Sequence, residues 1–584
     1  MPVLSPQFHR ILVAVLFASD TGGNVRRKVV ESRWRTGGIT RMVDEMEQAE
    51  VSESGGSRRS ARAVGSVSLA VFASRILGLV RDLFFAKLFG AGLYNDAWLV
   101  AFRIPNLLRD LFAEGALSAA FLPTFTDVLR NQGARRAWHL VNLVMSVLLV
   151  LLGVVTLIFL VGAEWLVQAL AAGFNEVPGK VELTASLVRV LSPFLLLVAL
   201  ASLAMGVLNA FGYFFLPALA PALFNVALIG AALFLVPLFE RLGVLPIYAM
   251  AVGAIVGGIL QFGVQIPVLR RQGFRFRFVL DWRDSGLRRM QRLLGPALVG
   301  VSVVQLNVLV NTQLASFLGD NGPVSWLNYA FRIMYLPIGL FGVAVGTVNL
   351  REVSVHAAAR RWDALKGTLE HSVRLVSFLA VPSAGGLVVL AEPIVELLFE
   401  RGSFTAFDTR RTAWALAAYA VGLVAYSSNK VYVPTFYALD DTRTPVRISL
   451  IGVAINLAVN LSLIVILPPD VRFAGLALGT SVSVSVSNAL LSRGLARRLG
   501  DFGRSRIRSS GARQLAASLM MALVVVYLRW ACFPELPSGL LEKAAAVGLL
   551  VLLGAGTYLL GCTVLAVPEW KQLRDAWRSR GRRR

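Results

Sequence analysis

The chain is poor in the residues from which disulfide scaffolds and metal centres are built. It has two cysteines, Cys532 and Cys562, and four scattered histidines, His9, His139, His356 and His371, in 584 residues. Two cysteines make no disulfide framework, and the histidines have no ligand spacing. No cofactor is expected. Charge is also scarce: Asp, Glu, Lys and Arg together make up 16% of the chain, against about 25% in an ordinary soluble domain. Acids are scarcer than bases, 34 against 58, which leaves a formal net charge of +24. A nucleic-acid footprint would collect those bases on a soluble domain. Here they stand in blocks between apolar runs, as the cytoplasmic loops of membrane proteins do, so no nucleic acid is expected as a partner.

What the chain has in abundance is apolar sequence, 56% of its residues, with a mean hydropathy of +0.66. Apolar runs recur that are each long enough to cross the roughly 30 Å hydrocarbon core. We read fourteen, at 64–89, 93–122, 138–162, 184–211, 214–238, 244–269, 290–318, 323–350, 368–391, 407–438, 444–467, 472–496, 512–532 and 543–567. The expected fold is an all-α polytopic membrane protein. Pro105, Pro193, Pro217, Pro221, Pro296, Pro337 and Pro382 fall inside these runs, and membrane helices tolerate proline where neighbours satisfy the freed backbone groups. Kinked helices around a cavity fit this better than a straight bundle. Residues 1–62 differ: their apolar run, Ile11 to Ala18, is too short for a span, and the remainder is polar. They read as a disordered cytoplasmic extension without an assigned function.

Alternate connections are basic: Arg130 to Arg136, Arg270 to Arg292, Arg351 to Lys366, Arg443 and Arg447, Arg493 to Arg513, and the tail after Pro568. The opposite connections are short or acidic, with Glu164, Glu176, Glu240, Glu392, Glu396, Glu400 and Glu535 among their residues. Positive-inside bias then puts both termini in the cytoplasm, which requires an even number of spans.

An internal repeat is also visible. Ala101-Phe102-Arg103-Ile104 recurs 229 residues later as Ala330-Phe331-Arg332-Ile333, and Leu111-Phe112 and Gly90 recur as Leu340-Phe341 and Gly319. Six spans separate the second from the eighth, so the halves share an orientation, an arrangement known in transporters.

The stretch from Ser74 to Pro123 is the most unusual. It is apolar, yet carries Arg75, Arg81, Asp82, Lys87, Asp96, Arg103, Arg109, Asp110 and Glu114. On insertion scales an Arg or Asp at the bilayer centre costs about 2.5–3.5 kcal/mol, so such residues face a water-filled cavity or pair with one another. At 100° per residue Arg75 and Asp82 share a face with Gly78 between them, and Asp96, Arg103 and Asp110 form a stripe flanked by Asn106, with Arg109 further round. Arg332 has no acid near it in sequence. Facing helices could present several guanidinium groups to one volume, and a planar guanidinium suits a diphosphate because it donates bidentate hydrogen bonds. The competing reading is helix-stitching ion pairs, Arg75 with Asp82 or Arg103 with Asp110. Lys87 and Glu114 fit interfacial positions. Thr405 is placed to cap a helix. Asp440-Asp441 lies in a tight turn and lacks the second acidic cluster of a metal site.

Six segments resemble a known family: SRILGLVRD at 74–82, AFRIPNLLRDLFAEGALSAAFLP at 101–123, ASLAMGVLNA at 201–210, GPALVGVSVVQLNVLVNTQLASFL at 295–318, FTAFDTRRT at 404–412 and FYALDDTRTPV at 436–446. They are similar to the MurJ (MviN) lipid II flippases of the multidrug/oligosaccharidyl-lipid/polysaccharide exporter superfamily. The resemblance runs from about residue 62 to 568, and RIPNLLRDLFAEGALS is specific to this family within the superfamily. It implies fourteen helices in the bacterial cytoplasmic membrane, with two six-helix lobes, 63–270 and 271–497, around a central cationic cavity. Residues 498–568 would be two further helices forming a groove for the lipid tail, and 569–584 a basic cytoplasmic tail. It implies transport of undecaprenyl-diphosphate-linked peptidoglycan precursor, lipid II, to the outer leaflet by alternating access. Membrane lipids are the other partner, and the chain is expected to be a monomer.

By motif match the family's important positions fall on Arg75, Arg81, Asp82, Asp96, Asn106, Arg109 and Arg332. We assign Arg75, Arg81, Arg109, Arg332 and Asn106 to substrate binding, and Asp82, Asp96 and Arg103 to support or gating. Many members carry acids where this chain has Phe331 and Tyr335, and a proline where it has Arg351, so the gating contacts and ion coupling of those members are not carried over to these positions. Proton, sodium and membrane potential all stay open as driving force. Three alternatives stand beside this reading. An exporter of another polyprenyl-diphosphate-linked oligosaccharide would use the same arginines. A cationic-drug exporter would favour acids and aromatics in its cavity. An isoprenoid-diphosphate enzyme would need paired acids for a metal, or a placed acid/base group.

Overall fold

The structure, a computed structural model, describes residues 67, 69–109, 117–319 and 321–581. The expected extension at 1–62, and Asp110, Glu114 and Asp320, lie outside the described residues. Residues 71–584 form one compact unit. Among the described residues its regular structure is all helix, with no strand.

Ten helices are long and apolar enough to cross a membrane among the described residues. They run Ala134–Val161, Lys180–Ala210, Phe215–Arg241, Ile247–Arg271, Pro323–Ala358, Trp362–Val389, Arg443–Ile466, Pro469–Leu499, Arg504–Cys532 and Leu540–Val564. Each overlays one of the runs read from the sequence. The other four expected runs are not among the ten: they fall on helix 69–89, on Ser285–Ser316, on Leu93–Arg109 and the first residues of Leu117–Asn131, and on the two helices Ala406–Ala420 and Leu423–Ala438. These are the interrupted or charge-bearing segments.

Local chemistry sets where the helices begin and break. Gly90 and Gly319, counterparts in the repeat, both take positive φ, 62° and 75°, a conformation that costs glycine little. The helices at Leu93 and Pro323 start just after them. Asp284 caps Ser285–Ser316, accepting from the Gly286 and Leu287 amides at 2.8 and 3.1 Å. Thr405 and Asp408 make a capping box, as the sequence suggests. Asp441 accepts from the Arg443 and Thr444 amides at 3.1 and 3.0 Å and pairs with Arg498 at 2.7 Å. Its work is turn closure. A π-helical turn over Ile338–Gly342 follows Pro337 and interrupts the helix that carries Arg332, a feature often found beside functional sites.

Small residues let helices approach. A Cβ on Gly253 would stand 2.4 Å from that of Ala231, and one on Gly257 2.7 Å from the Phe224 ring, the close packing that substitutes for a hydrophobic driving force in lipid. The basic tail is more structured than its sequence suggests. Pro568–Gly581 is a helix, and its buried Glu569 bonds Arg374, Ser510 at 2.6 Å and Gln514 at 3.2 Å.

Candidate functional site

Helix 69–89 brings its polar face against two other helices. Arg81 donates from Nε and Nη2 to Asp82 Oδ1, at 3.1 and 2.9 Å, and from Nη1 to Asn225 Oδ1 at 3.0 Å. Asn225, from helix Phe215–Gly230, donates in turn to the Ser74 carbonyl at 3.1 Å. The second Asp82 oxygen accepts from Arg332 Nη1 on helix Pro323–Pro337. One carboxylate therefore holds two guanidinium groups from opposite repeats, and the trio keeps a net charge of +1.

The exposures of the two arginines differ. The Arg81 side chain is 14% exposed and Arg332's 41%, with Asp82 at 9%. The Arg332 side chain thus stays partly open while its Nη1 is paired with Asp82. Arg75 reaches the π-helical turn beyond it, and a Cβ on Gly339 would stand 3.1 Å from Arg75 Nη1. The fields of Arg332 and Arg109 both reach Arg81. Arg103 and Asn106 are half-buried on helix Leu93–Arg109, and the field of Arg103 reaches Tyr419 on the second-half wall. Burying several like charges in a low-dielectric interior is costly unless an anion is shared among them.

Asp96 is not with the arginines. It is fully buried at the start of helix Leu93–Arg109. Its Oδ2 accepts from Lys180 Nζ at 2.9 Å and the Gly322 amide at 2.8 Å, and its Oδ1 from the Ser325 amide and Oγ at 2.9 and 2.5 Å. A carboxylate at the N-terminus of helix Pro323–Pro337 is well placed for the helix dipole. Lys180 also donates to Asn321 Oδ1 at 3.1 Å and stands 4.2 Å over the Phe174 ring. Around this clamp the two repeats are joined further: Asn95 donates to Tyr329 Oη at 3.1 Å, Ser403 to the Lys87 carbonyl at 2.9 Å, and the Gly173 amide to Ser316 Oγ at 3.1 Å. All of these contacts lie at the end where the connections are short or acidic.

The structure therefore brings Arg75, Arg81, Asp82 and Arg332 together, with Arg109 within electrostatic reach, and sets Asp96 apart in a clamp of its own. Among the described residues Asp82 pairs with Arg81 and Arg332 rather than with Arg75. Two residues escaped the sequence reading. Asn225 was marked by being polar in the apolar run ALFNVAL, and Lys180 by being a lone cation just before a span.

A multi-pass helical protein with fixed cations facing one another across its interior is, in class, a membrane transporter. The fold is shared with an inward-facing multidrug resistance MATE family transporter of the MOP superfamily, which superposes with a TM-score of 0.64 at 13% identity, over 76% of this chain and 99% of that one. The family model described as lipid II flippase MurJ matches residues 85–537, and the chain belongs to that family. A Vibrio cholerae protein named a probable lipid II flippase MurJ is 35% identical over 86% of this chain and 95% of its own. A Burkholderia cenocepacia lipid II flippase MurJ is 40% identical over 75% and 84%. A solved lipid II flippase MurJ in an inward closed conformation is 26% identical with a TM-score of 0.70, over 85% of this chain and 98% of that one.

Proposed function

We propose that this protein carries lipid II from the inner to the outer leaflet of the bacterial cytoplasmic membrane by alternating access, with both termini in the cytoplasm. The observation that carries the reading is the Asp82 carboxylate shared by Arg81 and Arg332. Two guanidiniums from opposite repeats converge on one anion, and a diphosphate offers the same acceptor chemistry with more oxygens. Asp82 then acts as an internal stand-in that neutralises the site between cycles. Arg75 and Arg109 add charge at its edge, Asn106 supports them, and Arg103 lines the second-half side. The Asp96 clamp closes the outer end in this state, and its opening exposes the site outward. Residues 63–270 and 271–497 are the two lobes, 498–568 supply the groove for the polyprenyl tail, and 569–584 stay in the cytoplasm.

No bond is made or broken in this cycle. The work is electrostatic: the diphosphate, too polar to cross alone, is neutralised inside the bilayer. The test is a strain whose only flippase is this protein, with leaflet-resolved detection of lipid II. Depletion is expected to trap lipid II in the inner leaflet, and continued appearance in the outer leaflet would contradict the reading. Accumulation of a different polyprenyl-diphosphate sugar instead would reassign the cargo.

A further inference from the structure

The second-half wall of the arginine site carries rings that diphosphate binding does not use. Phe331 and Tyr335 flank Arg332, with ring centroids 6.0 Å apart. Phe331 packs edge-on against Tyr419 at 5.5 Å and Tyr426 at 6.1 Å. Tyr419 is buried and within the field of Arg103, so this cluster looks toward the first repeat.

Position 335 lies three residues after Arg332 and four before Gly339, on one stripe of the helix. Arg332 meets Asp82 of helix 69–89, and Gly339 meets Arg75 of the same helix. The stripe therefore faces the substrate-binding helix. Within it Tyr335 leans to the side of Phe331, while Leu336 leans to the other side with the exposed Leu340. Tyr335 is 42% exposed despite its packed neighbours. Its side chain is thus open on the stripe that carries Arg332, with Phe331 packed against it and Tyr426 behind Phe331.

We propose that Tyr335, backed by Phe331 and Tyr426, is a glycan subsite: its face stacks against a sugar ring of the lipid-linked cargo while the arginines hold the diphosphate. The proposal rests on the function given above and names the part of the cargo that the arginines leave unread. A sugar joined directly to the diphosphate must lie next to it, and neighbouring side chains on a helix face stand about 5–6 Å apart at Cβ, about the width of one pyranose. The electropositive C–H groups of a pyranose face complement the negative face of an aromatic ring. Tyrosine also supplies this area at low conformational-entropy cost.

The test compares binding of lipid II and of sugar-free undecaprenyl diphosphate by the purified full chain. Tyr335→Ala is expected to weaken lipid II binding about three- to tenfold and to leave undecaprenyl diphosphate binding unchanged. Tyr335→Phe is expected to restore lipid II binding, because the ring face remains; Tyr335→Leu, apolar but without that face, is not. Equal loss for both lipids, or no loss for either, overturns the subsite and leaves the diphosphate site standing. Failure of the unmodified protein to bind either lipid overturns both readings.

Discussion

Ser325 donates from its backbone amide and its hydroxyl to the Asp96 carboxylate, at 2.9 and 2.5 Å, and the two residues are 229 positions apart. That is the spacing that relates the two AFRI segments. Counterparts of a repeat touch only beside the axis that relates them, so this contact marks where the halves meet. Arg103 and Arg332, the next counterparts along the same two helices, lie two turns further in, about 10 Å away at 1.5 Å per residue. Closure at the repeat axis and cation placement are thus set by the same pair of helices.

Breaking the clamp from one side is expected to be expensive. Asp96→Asn leaves the Lys180 ammonium buried without its anion, a loss of about 3–5 kcal/mol. Thermal unfolding in detergent should show a drop of several degrees. Adding Lys180→Met should recover part of it, since a neutral pair leaves no uncompensated charge. A single variant as stable as the parent would show that the buried pair contributes nothing.

Asp82 occupies Arg81 and Arg332, and in the proposed cycle it competes with the cargo for them. Asp82→Asn should therefore tighten undecaprenyl diphosphate binding, by about tenfold if one charge-assisted hydrogen bond is released to the ligand. Transport should fall, because release loses its internal competitor. Equilibrium binding and leaflet-resolved transport check the two directions separately. Weaker binding in this variant would make Asp82 a positioning group for the arginines instead.

Asp284 links pH to stability outside the spans. Burial alone would raise its carboxyl, but the Arg136 guanidinium and the Leu287 and Gly286 amides outweigh that and hold it below the usual 3.8. A carboxyl depressed by folding stabilises the fold above its unfolded value, and that contribution disappears as pH falls through the folded one. Asp284→Asn keeps a capping acceptor but loses the charged bond to Arg136, and should cost about 1–3 kcal/mol at neutral pH. The difference from the parent should shrink below the ordinary carboxylate range, as measured by unfolding midpoints across pH.

Much of this was legible in the chain because lipid imposes a simple rule: an apolar run of sufficient length becomes a helix. The runs at 138–162 and 543–567 needed nothing else. The run at 93–122 was harder, since it carries charges whose partners come from other helices, as Lys180 does for Asp96. Arg75, Arg81, Asp82 and Arg332 stood out as ions in apolar surroundings, and the structure gathers them. The partners were not legible. Helical spacing puts Asp82 on the face of Arg75, but its bonds go to a neighbour in sequence and to a residue 250 positions away. Asp96 shares a helical stripe with Arg103, yet the tertiary approach of Lys180 and Ser325 takes it into the clamp. Periodicity fixes faces; only packing fixes which faces meet.

Binding of undecaprenyl diphosphate to the purified chain tests most directly whether the gathered guanidiniums hold a diphosphate. Arg332→Ala and Arg75→Ala should each weaken binding about tenfold or more, while both variants stay folded in the membrane. They should also fail to sustain growth where this protein is the sole flippase. Unchanged affinity in both variants, with growth intact, would contradict the account.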